Sequence, residues 1–265
     1  MLLRCAAVWL LFASLLFTQS WVSQAQTAPD PTVDQIVDRL MQDDSAYRAR
    51  QPSFTAHESI VSRYDGVVFF GRSGDKAEAT IRMGPQVPGG PFRESRQITV
   101  YNGKPVKGEQ PHLMYDFTDD FADFANAFFS AKHRRCYNFV LEPRTAGKGP
   151  WQVDISVSPA ATGVADCVFA LDGLTAMVRV DPATFHILHL ECMSPAALAV
   201  PIHRPTFVSA DYAPVRVGEE MFWLPTDVTA KGAIGKSPFK WASHYSDYHR
   251  YTASATIVPG DAGTQ

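Results

Sequence analysis

The sequence predicts an α+β protein that is mainly β, built around one large antiparallel sheet with two helices. Three observations predict it. From Phe54 to Val258 apolar and polar residues alternate with period two in run after run, the pattern of strands with one buried face. Gly, Asn, Asp and Pro clusters punctuate these runs at short intervals, which favours hairpins over crossovers. Only two segments, near 32–47 and 117–132, carry the 3.6-residue period of an amphipathic helix instead.

The chain opens with a segment to be set apart from the fold. Arg4 precedes an apolar run from Cys5 to Phe17, broken only by Ser14, and Ser23-Gln24-Ala25 is a small-x-small cleavage signal. The apolar run is too short for the ~20 residues that span a bilayer. Residues 1–25 are therefore expected to be a signal peptide, residues 26–31 a flexible arm, 32–258 a single domain and 259–265 a frayed tail. This places the mature protein in the periplasm or outside the cell. With 46% hydrophobic and 19% charged residues and a net charge of −3, the chain has no basic excess for nucleic acid.

The first helix is expected from Thr32 to about Tyr47. Thr32 and Gln35 form a capping box, and Val33, Ile36, Val37, Leu40 and Met41 fall on one stripe. Strands are expected at Phe54–Arg63, Val67–Gly71, Lys76–Met83 and Arg93–Tyr101, with Asn102-Gly103 turning into a short return strand at Lys104–Lys107. The second helix is expected from Phe117 to Lys132, capped by Thr118, with a stripe of Phe117, Phe121, Phe124, Ala125, Phe128 and Phe129. Lys132, His133, Arg134 and Arg135 would complement the dipole at its C-terminus.

Strands follow at Tyr137–Glu142, Trp151–Val157 and Cys167–Ala170. The stretch Gly173–Met193 is the clearest hairpin of the chain. Val178 and Val180 alternate with Arg179 and Asp181, Asp181-Pro182 starts a type I turn, and Leu188, Leu190 and Cys192 alternate with Ile187, His189 and Glu191. A Pro-rich loop at Ala196–Thr206 leads to strands at Phe207–Val217, interrupted by Pro214, and at Met221–Ala230 and Phe239–Val258.

Three cysteines follow the signal segment: Cys136, Cys167 and Cys192. With Asp181 opposite Thr184, Cys192 faces Gly173, six residues from Cys167. At ~3.3 Å per residue this is ~20 Å, beyond disulfide reach. A disulfide would therefore join Cys136 to Cys167 or to Cys192, and three buried free thiols are the alternative.

Several short motifs invite chemistry and are better read as structure. Ala230–Ser237 spells a relaxed phosphate-binding loop, but Pro238 and an aromatic strand follow where a helix is needed, so a hairpin turn is expected and no nucleotide. His186 and His189 point to opposite faces of a strand, so no metal is expected there. His244 and His249 beside Asp247 are read as a solvated strand face.

The order of elements resembles the outer-membrane lipoprotein-carrier (LolA-like) superfamily. The resemblance rests on the Val180-Asp-Pro-Ala-Thr184 turn followed by Leu188-His-Leu-Glu191, then Tyr212-Ala-Pro-Val215, Phe222-Trp-Leu-Pro225 and Tyr245-Ser-Asp-Tyr248. It implies an incomplete barrel, one strongly curved sheet with an N-terminal and an internal helix on its concave side. It implies a non-enzymatic binding protein, without cofactor, whose apolar cavity takes a lipid or lipoprotein acyl chain. Phe117, Phe121, Phe124, Phe128, Leu188 and Leu190 would line it. The alternative is an envelope module that binds another protein, with its cavity filled by its own side chains.

Overall fold

In the computed structural model the described residues are 30–50, 52–64, 73–85, 92–111, 113, 124–144, 149–167, 173–194, 206–234 and 237–251. The expected signal segment, the Val67–Gly71 strand, Phe117 and Phe121 lie outside them. The helices and strands of the described residues belong to the compact unit Thr32–Gln265.

Helix α1 spans Val33–Arg50. Its capping box is formed: the Thr32 amide donates to Gln35 Oε1 at 2.8 Å, and the Gln35 amide to Thr32 Oγ1 at 3.3 Å. Ile36, Val37 and Leu40 are buried, as the stripe requires. The strands are β1 (Phe54–Tyr64), β2 (Gly74–Pro85), β3 (Phe92–Tyr101), β4 (Lys104–Pro105), β5 (Tyr137–Leu141), β6 (Trp151–Val157), β7 (Thr175–Val180), β8 (Ile187–Met193), β9 (Phe207–Val217), β10 (Glu220–Ile234) and β11 (Ser237–Arg250).

They form one open sheet of eleven antiparallel strands in the order β4-β3-β2-β1-β11-β10-β9-β8-β7-β6-β5. A single row of paired residues crosses ten of the strands: Tyr101, Ala77, Ile60, Ser243, Val228, Ala210, Leu190, Val178, Val153 and Leu141. Directly opposed residues share a face, and the eight inner members of this row are buried. One face of the sheet is therefore the core side along its whole width. At the β5–β8 end α1 covers that face, with Ile36 and Leu40 against Val153, Ile155, Val178 and Leu190.

The second helical segment departs from expectation. Its described part is a single turn, α2 (Asn126–Phe129), which stops where Ser130 turns extended at φ −76° and ψ 139°. A 3-10 turn follows over Ala131–Cys136. The basic run serves neighbours rather than a helix dipole: Arg134 pairs with Asp34, and Arg135 Nη2 donates to Asp166 Oδ2 at 2.7 Å. The break also sets Cys136 beside Cys167. These two form a disulfide with Cα atoms 5.4 Å apart, and Cys192 is the free thiol among the described residues. Cys167 closes a 3-10 turn, Ala165–Cys167, rather than starting a strand.

The β7–β8 hairpin also has a longer connection than expected. Val180 pairs with Ile187 and Ala176 with Cys192, so the expected register is shifted by two residues at Val180 and by three beyond the bulge. Asp181 is the cause. Its Oδ1 accepts from the amides of Ala183 and Thr184 at 2.9 and 2.8 Å and from the Thr184 hydroxyl at 3.0 Å. Phe185 then adopts φ 59° and donates its amide to the Asp181 carbonyl. A bulge between Arg179 and Val180 follows on the facing strand, so that Ile187 rather than Leu188 opposes Val180. Pro214 does not interrupt β9, because it pairs with Trp223 inside a continuous strand.

Candidate functional site

The site arises where the sheet splits. β9 pairs with β8 only from Phe207 to Asp211, while its remaining residues, Tyr212–Val217, pair only with β10. β10 pairs with β11 only from Asp227 onward. Thr226 is an extra residue at the point of departure, where the register shifts between Pro225 and Asp227. A bulge bends its strand, and prolines at 214 and 225 supply no amide for a further ladder. The tip of the β9–β10 hairpin thus leaves the sheet as an extension. Phe54, Met83, Val217, Phe222 and Leu224 form a small cluster that fixes it, and the Tyr248 hydroxyl donates to the Pro225 carbonyl.

A groove of about 550 Å³ lies along this extension. Tyr212, Pro214, Met221, Phe222 and Trp223 form one wall. Thr184, Phe185, His186 and Ile187 of the β7–β8 hairpin form a second, and Arg39, Leu40, Asp43, Ala46 and Arg50 of α1 a third. Ala125 and Phe129 complete it. Trp223 ties two walls together, since its indole N–H donates to the Ile187 carbonyl and its ring stacks on His186 at 4.6 Å. Phe185 ties the others, with its ring 4.9 Å from Trp151 and the Arg39 guanidinium 6.0 Å above it.

Of the residues expected to line a cavity, Phe124, Phe128, Leu188 and Leu190 are among the described residues, and none of these four lines this groove. Phe128 and Leu190 are fully packed in the core, Phe128 against Tyr137 at 5.2 Å. Phe124 is half-buried and bridges the two large core clusters. Leu188 sits at the bulge. Their neighbours Ala125, Phe129 and Ile187 face the groove instead. Phe185 and Trp223 were missed, and each leaves a trace in the sequence. Phe222-Trp223-Leu224 is three apolar residues in a row, and a strand can bury only alternate ones on one face. Phe185 stands at a turn, where an aromatic ring needs a partner.

The other motifs fall elsewhere. His189 Nδ1 is 2.6 Å from Asp211 Oδ1, and its Nε2 is 3.4 Å from Glu191, whereas His186 stacks on Trp223. His244 Nδ1 is 2.8 Å from Asp227 Oδ1. Ile234 pairs with Ser237, so Ala230–Ser237 is a hairpin end. Burial pushes the Cys192 thiol up to about 12, which favours its protonated form. Among the described residues no group of three or more His, Cys, Asp or Glu side chains converges, and no helix is long and apolar enough to cross a membrane.

The fold and site together define an open antiparallel sheet with a helix-covered face and an apolar groove at a split between strands. No protein-family model matches the sequence, and comparison with curated proteins gives no significant match. Three solved structures are similar over 84% of this chain. They are the LolA superfamily protein NE2245 from Nitrosomonas europaea (13% identity, TM-score 0.41, 96% of that chain covered), a domain named for outer membrane lipoprotein sorting from Vibrio parahaemolyticus (10%, 0.43, 95%), and a DUF1329 family protein from Desulfovibrio piger (8%, 0.42, 95%).

Proposed function

We propose that this is a non-enzymatic binding protein that holds an acyl chain, of a lipid or of a lipidated partner, in the groove beside the β9–β10 extension. It acts in the periplasm or outside the cell, after removal of a signal peptide. The observation that carries this reading is the groove's lining. Leu40, Phe129, Phe185, Ile187, Tyr212, Met221, Phe222 and Trp223 surround a volume of about 550 Å³, within the range of sites that enclose small apolar molecules. Hydrophobic surface of this extent, not filled by the described side chains, is stabilised by a ligand that removes it from water.

Met221 provides the test, because it is 53% exposed and its replacement leaves the core intact. Met221→Glu places a charge on the groove wall. The wild-type protein is expected to enhance the fluorescence of N-phenyl-1-naphthylamine, a neutral apolar probe, and the variant to lose most of this response at unchanged thermal stability. Organic extracts of the protein purified from its native envelope are expected to contain a lipid in near-stoichiometric amount. A probe response identical in both proteins, or none in either together with lipid-free extracts, overturns the reading.

A further inference from the structure

Resting on that reading of the groove, we infer that its ligand is an anionic amphiphile, an apolar chain ending in a carboxylate or phosphate group that Arg39, Arg50 and His186 receive. The titratable residues lining the groove are Arg39, Arg50, Asp43, His186 and the Tyr212 phenol, which is neutral at pH 7. Two arginines against one aspartate leave a positive charge here, on a chain whose net charge is −3. Arg39 uses only its Nε on Asp43, at 3.1 Å, which leaves its terminal amino groups as donors among the described residues. Arg50 has no ion-pair partner among them. It closes α1, where a cation also offsets the helix dipole, but that role does not account for Arg39 in the body of the helix.

His186 completes the set. Three histidines of the sheet face carboxylates: His57 has Glu78, His189 has Asp211 and Glu191, and His244 has Asp227. The His186 ring instead lies flat on Trp223, with an interplanar angle of 19°, and its nitrogens make no hydrogen bond among the described residues. Asp181, in the same loop, feels the His186 ring electrostatically but spends its Oδ1 hydrogen bonds on Ala183 and Thr184 and makes none to the ring. Apart from the Arg39 Nε bond to Asp43, two guanidinium groups and an imidazole therefore border an apolar groove with donors not engaged by the described residues. That combination matches a chain with one anionic head, because charge-assisted and forked hydrogen bonds to carboxylate or phosphate oxygens are the strong ones.

The test compares palmitate, methyl palmitate and monoacyl lysophosphatidate by calorimetric titration below their micelle concentrations. Methyl palmitate keeps the chain and removes the charge. At least one of the two anions is expected to bind about tenfold more tightly than the ester, the scale of one charge-assisted contact. Whichever does so identifies the head as carboxylate or phosphate. Arg50→Gln and Arg39→Gln are expected to erase this advantage and leave the ester's affinity unchanged, with Arg39→Gln the more severe because Asp43 is left unopposed. Both side chains are on the surface, so unchanged melting curves certify the fold of each variant. If the ester binds as tightly as both anions, or if the variants weaken all three ligands equally, the inference is overturned. If none of the three binds, the acyl-chain reading of the groove itself fails, which is a different result.

Discussion

Glu58 and Arg96 form a two-point ion pair inside the protein: Arg96 Nε donates to Glu58 Oε2 at 2.6 Å, and Nη2 donates to Oε1 at 3.1 Å. The Glu58 side chain is wholly buried and that of Arg96 is 7% exposed. Ser243 Oγ donates to Glu58 Oε1 at 2.6 Å, and the Trp241 indole donates to Ser243 Oγ at 2.8 Å. Burial, then the adjacent Glu58, raises the Tyr245 phenol well above its ordinary range. β1, β3 and β11 are thus joined across the core by a polar network. Arg96→Met leaves a buried carboxylate without its counter-ion and is expected to cost about 3–5 kcal/mol. The double variant Glu58→Met, Arg96→Met is expected to lose less than the sum of the two single changes. Urea unfolding of all four proteins measures this, and additive losses contradict it.

The Cys136–Cys167 disulfide links residues 31 apart in sequence. A loop of that length gives roughly 3–4 kcal/mol in the chain-entropy account. Replacing both cysteines by serine should lower the melting temperature clearly. Added reductant should destabilise the wild type and leave the variant unaffected.

Cys192 offers a pH-dependent signature. Burial raises its thiol from an ordinary value of 9.0 to about 12. The folded state therefore holds a proton that the unfolded chain releases above pH 9, so stability must fall as pH rises from about 9 toward 12. Cys192→Ala should flatten this decline between pH 9 and 10, below the range where the tyrosines titrate. Native protein at pH 8 should react slowly with a thiol reagent and quickly in denaturant. Fast native reaction would contradict the burial.

Phe128 in α2 and Phe124, two residues before that helix, differ in how fully they are packed. Phe128 is 2% exposed, and Phe128→Ala is expected to cost roughly 3–5 kcal/mol. Phe124 is only partly buried between the two clusters, so Phe124→Ala should cost distinctly less. Equal losses in denaturant titrations would show that the two rings are packed alike.

Much of the sheet was legible because its rules are local. Trp151–Val157 and Phe207–Val217 are strands over the expected bounds, since alternation marks a half-buried strand whatever lies beside it. Asn102 and Gly103 take φ of 46° and 78°, the left-handed values that the hairpin turn between Tyr101 and Lys104 requires. The groove was not legible because it depends on where pairing stops. Thr226 is one ordinary residue in an alternating run, and nothing local says that β8 ends its ladder with β9 at Asp211. The 3-10 turn after Ser130 was hidden for a related reason: Phe128 and Phe129 satisfy a helical stripe, while the break answers to Asp34, Asp166 and Cys167, all distant in sequence.

The strand order also carries a kinetic consequence. Every neighbouring pair in the sheet is consecutive in the chain except one, β1 against β11, where Phe54 meets Arg250. Two meanders, β1–β4 and β5–β11, can each zip up from their own turns, but they can be sewn together only when the last strand is available. Closing so long a loop is entropically costly and slow. For a chain synthesised from its N-terminus, this seam acts as a timer. The first meander waits, with the buried face of β1 unsealed, until nearly the entire polypeptide has emerged.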